Sequence, residues 1–198
     1  MNESAPMRMA CLISFALLLA ACGREAGPGP LEGATMGGPF TLTDQNGRRV
    51  SDSQFAGKYR LVYFGFTFCP DVCPIDLQVI GAGLRRFEQS DAARAARVQP
   101  IFITVDPARD TPEVLRRYVA NFHPRLIGLT GSEQEVDAVA RAYRVYAQRG
   151  RAAPGRPDYT VDHGRQTVLY GPDGRPIAMV PADEGADAVA AQLDRWVR

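Results

Sequence analysis

Tyr59-Arg60-Leu61-Val62-Tyr63-Phe64-Gly65-Phe66-Thr67-Phe68-Cys69-Pro70-Asp71-Val72-Cys73-Pro74 carries the strongest architectural signal in the chain. Residues 59–66 are a nearly unbroken apolar and aromatic run, the pattern of a strand covered on both faces of a sheet. Two cysteines follow, separated by three residues. Beyond them Val79, Ile80, Leu84 and Phe87 recur at helical spacing within residues 75–89. Pro74 suits the first helical position, where its missing N–H costs nothing. The cysteines therefore fall between the end of a buried strand and the start of a helix.

That location has chemical consequences. Helix N-terminal N–H groups stabilise a thiolate and lower its pKa. The carboxyl ends of strands are where open α/β sheets expose functional groups. Cysteines four positions apart can share one helical face. Two adjacent thiolates suit a soft ion, above all Cu(I), and they equally suit reversible disulfide formation. Cys69 and Cys73 are thus a metal site, a redox couple or a structural disulfide. The spacing is wider than the Cys-x-x-Cys of thioredoxin-type exchange and leaves more room for a metal. Asp71, inside the motif, is a candidate for tuning the thiols. A peroxide-removing enzyme of similar architecture would want Pro and Thr at set distances before its reactive Cys, where this chain has Tyr63 and Phe66.

Outward from this segment, strand and helix patterns alternate. Upstream, Asn46-Gly47 sits between residues 40–43 and 48–50, a β-hairpin signal. Downstream, residues 98–105 read as a second buried strand, and Thr111-Pro112 opens a helix through Phe122. A short strand is expected at 126–129. Ser132 and Glu135 have capping-box spacing for a helix running to about Tyr146. Residues 148–158 read as a Gly/Pro/Arg loop whose Arg149, Arg151 and Arg156 form a solvated basic cluster that could attract an acidic partner. Residues 159–161 and 166–170 read as strands. Pro172-Asp173-Gly174 turns into a hairpin partner at 176–180, and residues 186–197 close with an amphipathic helix. The order predicts an α/β domain, thioredoxin-like, with an N-terminal β-hairpin extension.

Composition agrees with a single globular domain. The 198 residues are 45% hydrophobic and 23% charged, which excludes wholesale disorder, a collagen-like chain and a polytopic membrane protein. With 23 basic and 22 acidic residues the chain lacks the field needed to hold nucleic acid. Four cysteines are too few for a disulfide scaffold of this size.

The N-terminus reads as processing and anchoring sequence. Arg8 precedes an apolar run over residues 9–21, too short to span a bilayer comfortably. The run has the length of a signal-peptide core and ends in small residues. Leu19-Ala20-Ala21-Cys22 resembles the lipobox of bacterial lipoproteins, in which the Cys becomes the lipidated first residue. Residues 1–21 are expected as a lipoprotein signal peptide, 22–38 as a flexible tether and 39–198 as the domain. Cys11 would be removed and Cys22 modified. Cys69 and Cys73 would then be the only free thiols in a periplasm-facing, lipid-anchored protein of the bacterial cell envelope.

An imidazole would complete a site able to hold Cu(II). There are two histidines. His123, in Asn121-Phe122-His123-Pro124 at a helix end, reads as solvated or as a partner of the helix dipole. His163, in Asp162-His163-Gly164 between strand segments, is by itself an ordinary surface or capping residue, though loops at one end of a sheet converge.

The segment over residues 59–74 resembles the signature of the Sco/SenC family. So do Val105-Asp106-Pro107-Ala108-Arg109-Asp110-Thr111-Pro112, Ile127-Gly128-Leu129-Thr130-Gly131, Tyr143-Arg144-Val145-Tyr146 and Asp158-Tyr159-Thr160-Val161-Asp162-His163. They occur in order across residues 38–181. The resemblance implies a thioredoxin-like, membrane-anchored protein that binds one copper, as Cu(I) or Cu(II), through Cys69, Cys73 and His163. It implies a role in assembling the dinuclear copper centre of cytochrome c oxidase, by delivering copper or by reducing the target's cysteines. The implied partner is the copper-bearing subunit of that oxidase or another copper protein. Two departures stand out: Gly164-Arg165-Gln166 follows the His where a Ser is usual, and lipidation replaces a transmembrane anchor.

Overall fold

The computed structural model describes residues 27–150 and 159–198. The hairpin signal produces β1 (Thr41–Asp44) and β2 (Arg49–Ser51), antiparallel, with Gly47 at φ 78° in the turn. The aromatic run is β3 (Tyr59–Gly65). Then come α1 (Val72–Ser90), the single-turn α2 (Ala92–Ala95), β4 (Val98–Thr104), α3 (Pro112–Val119), β5 (Ile127–Thr130) and α4 (Glu133–Ala142). The chain finishes with β6 (Ala147–Arg149), β7 (Val161–His163), β8 (Thr167–Tyr170), β9 (Pro176–Met179) and α5 (Ala186–Trp196).

Among the described residues seven strands form one sheet in the order β2-β1-β5-β4-β3-β8-β9. The central β3, β4 and β5 run parallel, and β8 and β9 add an antiparallel hairpin beside β3. This is the thioredoxin-like arrangement expected, with the β1–β2 hairpin extending the opposite edge. Every residue of β3 is buried, because helices cover both faces. Alternation divides them: Leu61 and Tyr63 join a core with α1, α3 and α5, whereas Val62 and Phe64 join one with α4 and the N-terminal hairpin. Leu77, Leu84 and Phe87 of α1 and Val189 and Leu193 of α5 fill the first core, each at most 1% exposed. Burying one such side chain stabilises the fold by about 1.5–3 kcal/mol.

Several local expectations are corrected. The first long helix begins at Val72, two residues before the start expected at Pro74, so Cys73 lies within its first turn and Pro74 is its third residue. Pro is tolerated there because the N–H it lacks would find no partner inside the helix. The helix α4 stops at Ala142 instead of continuing to Tyr146. Arg144 adopts φ 57°, Val145 N–H bonds to the Ala140 carbonyl at 2.8 Å, and Arg144 N–H bonds to that of Arg141 at 3.1 Å. That is a Schellman ending with Arg in the place usually taken by Gly. It lets Tyr143 point inward against Phe40, Phe64 and Tyr170.

The loop expected at 148–158 begins as a strand, because β6 pairs antiparallel with β7 in a separate two-stranded ribbon. Arg149 lies in that ribbon. It is not a free basic side chain, since it bonds Glu133 at 3.1 Å and its guanidinium lies over the Tyr159 ring. Arg151 and Arg156 lie outside the described residues, as do residues 1–26 with Cys11, Cys22 and the expected signal peptide.

Residues 28–38, the later part of the expected tether, lie against the domain. Leu31 N–H bonds the Ile177 carbonyl at 3.0 Å, Gly37 N–H bonds that of Ala142 at 2.9 Å, and Leu31 and Met36 pack on the core. Among the described residues no helix is long and apolar enough to cross a membrane.

Candidate metal centre

Three elements converge at the carboxyl end of β3. The turn after β3 carries Cys69, the first turn of α1 carries Cys73, and the last residue of β7 is His163. Nε2 of His163 lies 3.3 Å from Sγ of Cys73, and the ligand atoms of all three residues lie within 4.8 Å of one another. Cys73 N–H points to Sγ of Cys69 at 3.5 Å. Both cysteines are free thiols; Cys73 is fully buried and Cys69 is 9% exposed.

Close packing makes this meeting possible. Gly65 ends β3 directly beneath the site, and a Cβ there would come within 3.0 Å of Sγ of Cys73. The loop before Cys69 is held by Asp110, whose carboxylate accepts the Thr67 N–H at 3.0 Å and its hydroxyl at 2.6 Å. The Thr104 hydroxyl also donates to Asp110, at 2.6 Å. Burial raises the Asp110 pKa above the ordinary carboxylate value.

The imidazole is oriented by its second nitrogen. Nδ1 of His163 lies 2.9 Å from the Gly164 carbonyl oxygen, which can only accept. Nδ1 therefore carries the proton, and the lone pair of Nε2 faces the sulfurs. Phe66 packs edge-to-face on the ring at 5.7 Å. The ribbon bearing His163 is tied down on both sides. Tyr159 OH donates to Asp106 at 2.6 Å, and Arg165 donates to Asp76 at 2.7 and 3.2 Å.

Two expectations about the cysteines change. Asp71 is exposed at the start of α1 and makes no capping bond. The carboxylate near the thiols is Asp76, 1% exposed, which also accepts the Tyr63 hydroxyl at 3.0 Å. Asp76 lies three residues after Cys73, within the otherwise apolar stripe that continues through Leu77 and Ile80. A carboxylate on a buried helical face is a signal that residue spacing alone could have exposed. The helix N-terminus was also expected to depress the thiol pKa. Instead burial pushes the Cys73 thiol up to about 12, with a bond from the Phe66 backbone opposing it in part. Desolvation of this fully buried sulfur is the largest cause of the rise.

His123 takes no part in the cluster. It is 3% exposed rather than solvated; Nδ1 accepts the Arg125 N–H at 3.2 Å and Nε2 faces Glu88 at 3.4 Å. Burial lowers its pKa and so favours the neutral ring.

Two sulfurs and one imidazole at the strand–helix junction of a thioredoxin-like domain define a protein that can hold a single soft metal ion. The chain belongs to the SCO1/SenC family, whose model matches residues 28–198. It is 41% identical over 164 residues to the human mitochondrial "SCO1 homolog", covering 82% of this chain and 53% of that protein. The chain spans about half the length of the curated relatives it matches. Among solved structures, Bradyrhizobium japonicum ScoI with copper bound superposes with a TM-score of 0.73 at 42% identity, covering 81% of this chain and 99% of that one. BsSco, described as having a disulfide switch and belonging to the Sco family of cytochrome c oxidase assembly proteins, gives a TM-score of 0.58 at 25% identity, covering 82% and 94%.

Proposed function

We propose that this protein carries one copper ion on Cys69, Cys73 and His163 and supplies it during assembly of the copper-bearing centre of cytochrome c oxidase. It acts as a carrier rather than a catalyst. The observation that carries this reading is the meeting of the three donors within 4.8 Å. The sulfurs suit Cu(I), and an imidazole with a free Nε2 lone pair adds tolerance of Cu(II). The copper-bound B. japonicum relative and the assembly family named for BsSco support the same reading. We place the protein in a bacterial envelope, facing the periplasm and held to a membrane by a lipid on Cys22, from the sequence of residues 1–22.

The test is metal analysis with absorption spectroscopy on the reduced protein. One copper should be retained per chain, with thiolate-to-copper charge transfer in the Cu(II) form, and Cys69→Ala should abolish both. A wild-type chain that retains no copper in either oxidation state would end this reading.

A second reading is favoured by the paired free thiols of a thioredoxin-like fold: reduction of a target's disulfide. Joining Sγ of Cys69 to Sγ of Cys73 would release two electrons and two protons to the target's sulfurs. Cys69 is the more exposed of the two and would make the initial attack, with the fully buried Cys73 closing the disulfide. Efficient reduction of a target peptide together with silent copper spectra would favour it.

A further inference from the structure

The copper reading leaves one group near the site without a role: the buried carboxylate of Asp76. Its position is specific. The helix α1 presents Cys73 in its first turn and Asp76 three residues later, both at most 1% exposed. The end of β7 presents His163 and, two residues on in the segment that follows, Arg165. The Arg165 guanidinium reaches Asp76 with two bonds, Nη2 to Oδ1 at 2.7 Å and Nε to Oδ2 at 3.2 Å. Tyr63 OH, from β3, donates to Oδ2 at 3.0 Å and fixes the carboxylate from below. A planar fork on a carboxylate constrains direction as well as distance.

This pair is a short link between the helix bearing Cys73 and the strand bearing the imidazole. Main-chain bonds alone hold His163 loosely. Among the described residues its strand pairs only with β6, across three positions, and the ribbon stands apart from the main sheet. The other tie, Tyr159 to Asp106, lies on the upstream side. Downstream of the imidazole, Gly164 N–H bonds the Tyr146 carbonyl at 2.9 Å, and the next side-chain anchor is Arg165 on Asp76.

We propose that Asp76 and Arg165 form a latch that holds His163 against the two thiols and thereby sets how strongly the site prefers Cu(II) over Cu(I). Both are positioning residues, and the proposal rests on the copper reading above. With the latch closed, two sulfurs and a nitrogen face the ion. With it open, the dithiol remains, and a pair of sulfurs suits Cu(I) alone. Loss of a partner that orients a metal-ligating His typically costs ten- to a hundredfold in affinity.

The direction of the effect separates a latch from a simple field. Arg165 is a cation beside the ion. Removing it should strengthen the more highly charged Cu(II) if only charge mattered, and removing the Asp76 charge should weaken it. A latch predicts that both changes weaken Cu(II) binding.

The experiment measures Cu(I) and Cu(II) affinities by chelator competition for wild type, Arg165→Ala, Arg165→Lys and Asp76→Asn, with electron paramagnetic resonance of the Cu(II) forms. Arg165 is about half exposed, so its replacement should leave the fold intact by circular dichroism. Expected are a roughly tenfold or greater loss of Cu(II) affinity in Arg165→Ala and Asp76→Asn, weaker nitrogen hyperfine coupling, and Cu(I) affinity within about twofold of wild type. Arg165→Lys should recover part of the loss. A second readout uses the metal-free reduced protein: the His163 ring should lose its single Nδ1–H tautomer by nitrogen NMR in Arg165→Ala. Unchanged or tighter Cu(II) binding in Arg165→Ala would overturn the latch, as would equal losses for both oxidation states. A wild type that binds no copper would defeat the copper reading instead, and the NMR arm would still report whether Arg165 holds the ring.

Discussion

Nε2 of His163 stands 3.3 Å from Sγ of Cys73, although ninety residues separate them along the chain. The contact is made by a strand outside the main sheet, and the other nitrogen of the ring is held by Gly164. The free lone pair faces the sulfurs before any ion arrives, so the third donor should matter most for the oxidation state that favours nitrogen.

Replacing His163 by Ala should therefore weaken Cu(II) binding far more than Cu(I) binding, because Cu(I) retains both sulfurs. Competition titrations under reducing and oxidising conditions measure the two affinities separately. Equal losses would remove His163 from the site.

The Cys73 thiol, raised to about 12 by burial, should be a slow nucleophile in the metal-free protein. In a Cys69→Ser variant, alkylation by iodoacetamide should be barely detectable at pH 7 and should accelerate as pH climbs toward that value. The linked stability has the same sign. A thiol whose folded value exceeds its ordinary value of 9.0 stabilises the fold fully below that value and loses the contribution as pH rises to about 12. Rapid alkylation at pH 7 would show that the helix N-terminus, and not burial, governs this sulfur.

Gly65 leaves little room for a side chain. An added Cβ would meet Sγ of Cys73 at 3.0 Å and the rings of Phe102 and Tyr63 at 3.1 Å. Gly65→Ala should cost about 1–3 kcal/mol by urea denaturation, as overpacking does, and should displace the sulfur enough to alter the copper spectrum. A variant as stable as wild type with unchanged spectra would contradict this packing.

Glu135 links the start of α4 to the N-terminal hairpin. It accepts the Ser132 N–H at 2.8 Å and pairs with Arg49 at 2.6 Å, and these partners hold its pKa down at about 2. A depressed carboxylate contributes stability above its ordinary value of 4.5 and loses it as pH falls toward about 2. Glu135→Gln should lower the melting temperature at pH 7, and the difference from wild type should vanish near pH 2. Because the side chain is partly exposed, the pH 7 difference should be modest and should shrink in high salt. A difference that persists unchanged at pH 2 would place the contribution elsewhere.

Much of the architecture is visible in short windows. The β3–Cys–α1 junction follows from an apolar run meeting a helical period. The hairpin at Asn46-Gly47 and the Ser132–Glu135 capping box follow from local backbone chemistry. The errors are equally local. Arg144 ends α4 in a left-handed conformation that residue type does not announce, and β6 exists only because β7 pairs with it. His123 reads as a surface residue because its side-chain partner, Glu88, lies 35 positions away and only the fold brings the two together.

Residue order alone was enough to establish a dithiol between a buried strand and a helix, because both periodicities lie within thirty consecutive positions. It could mark His163 only through family likeness, since nothing adjacent to that residue points to sulfur. Folding settled the rest: the distance of the imidazole from the thiols, the burial that raises Cys73 against the pull of the helix end, and the union of Asp76 with Arg165. Each depends on desolvation or on pairing between distant segments, and those energies exist only once the packed sheet brings the segments together.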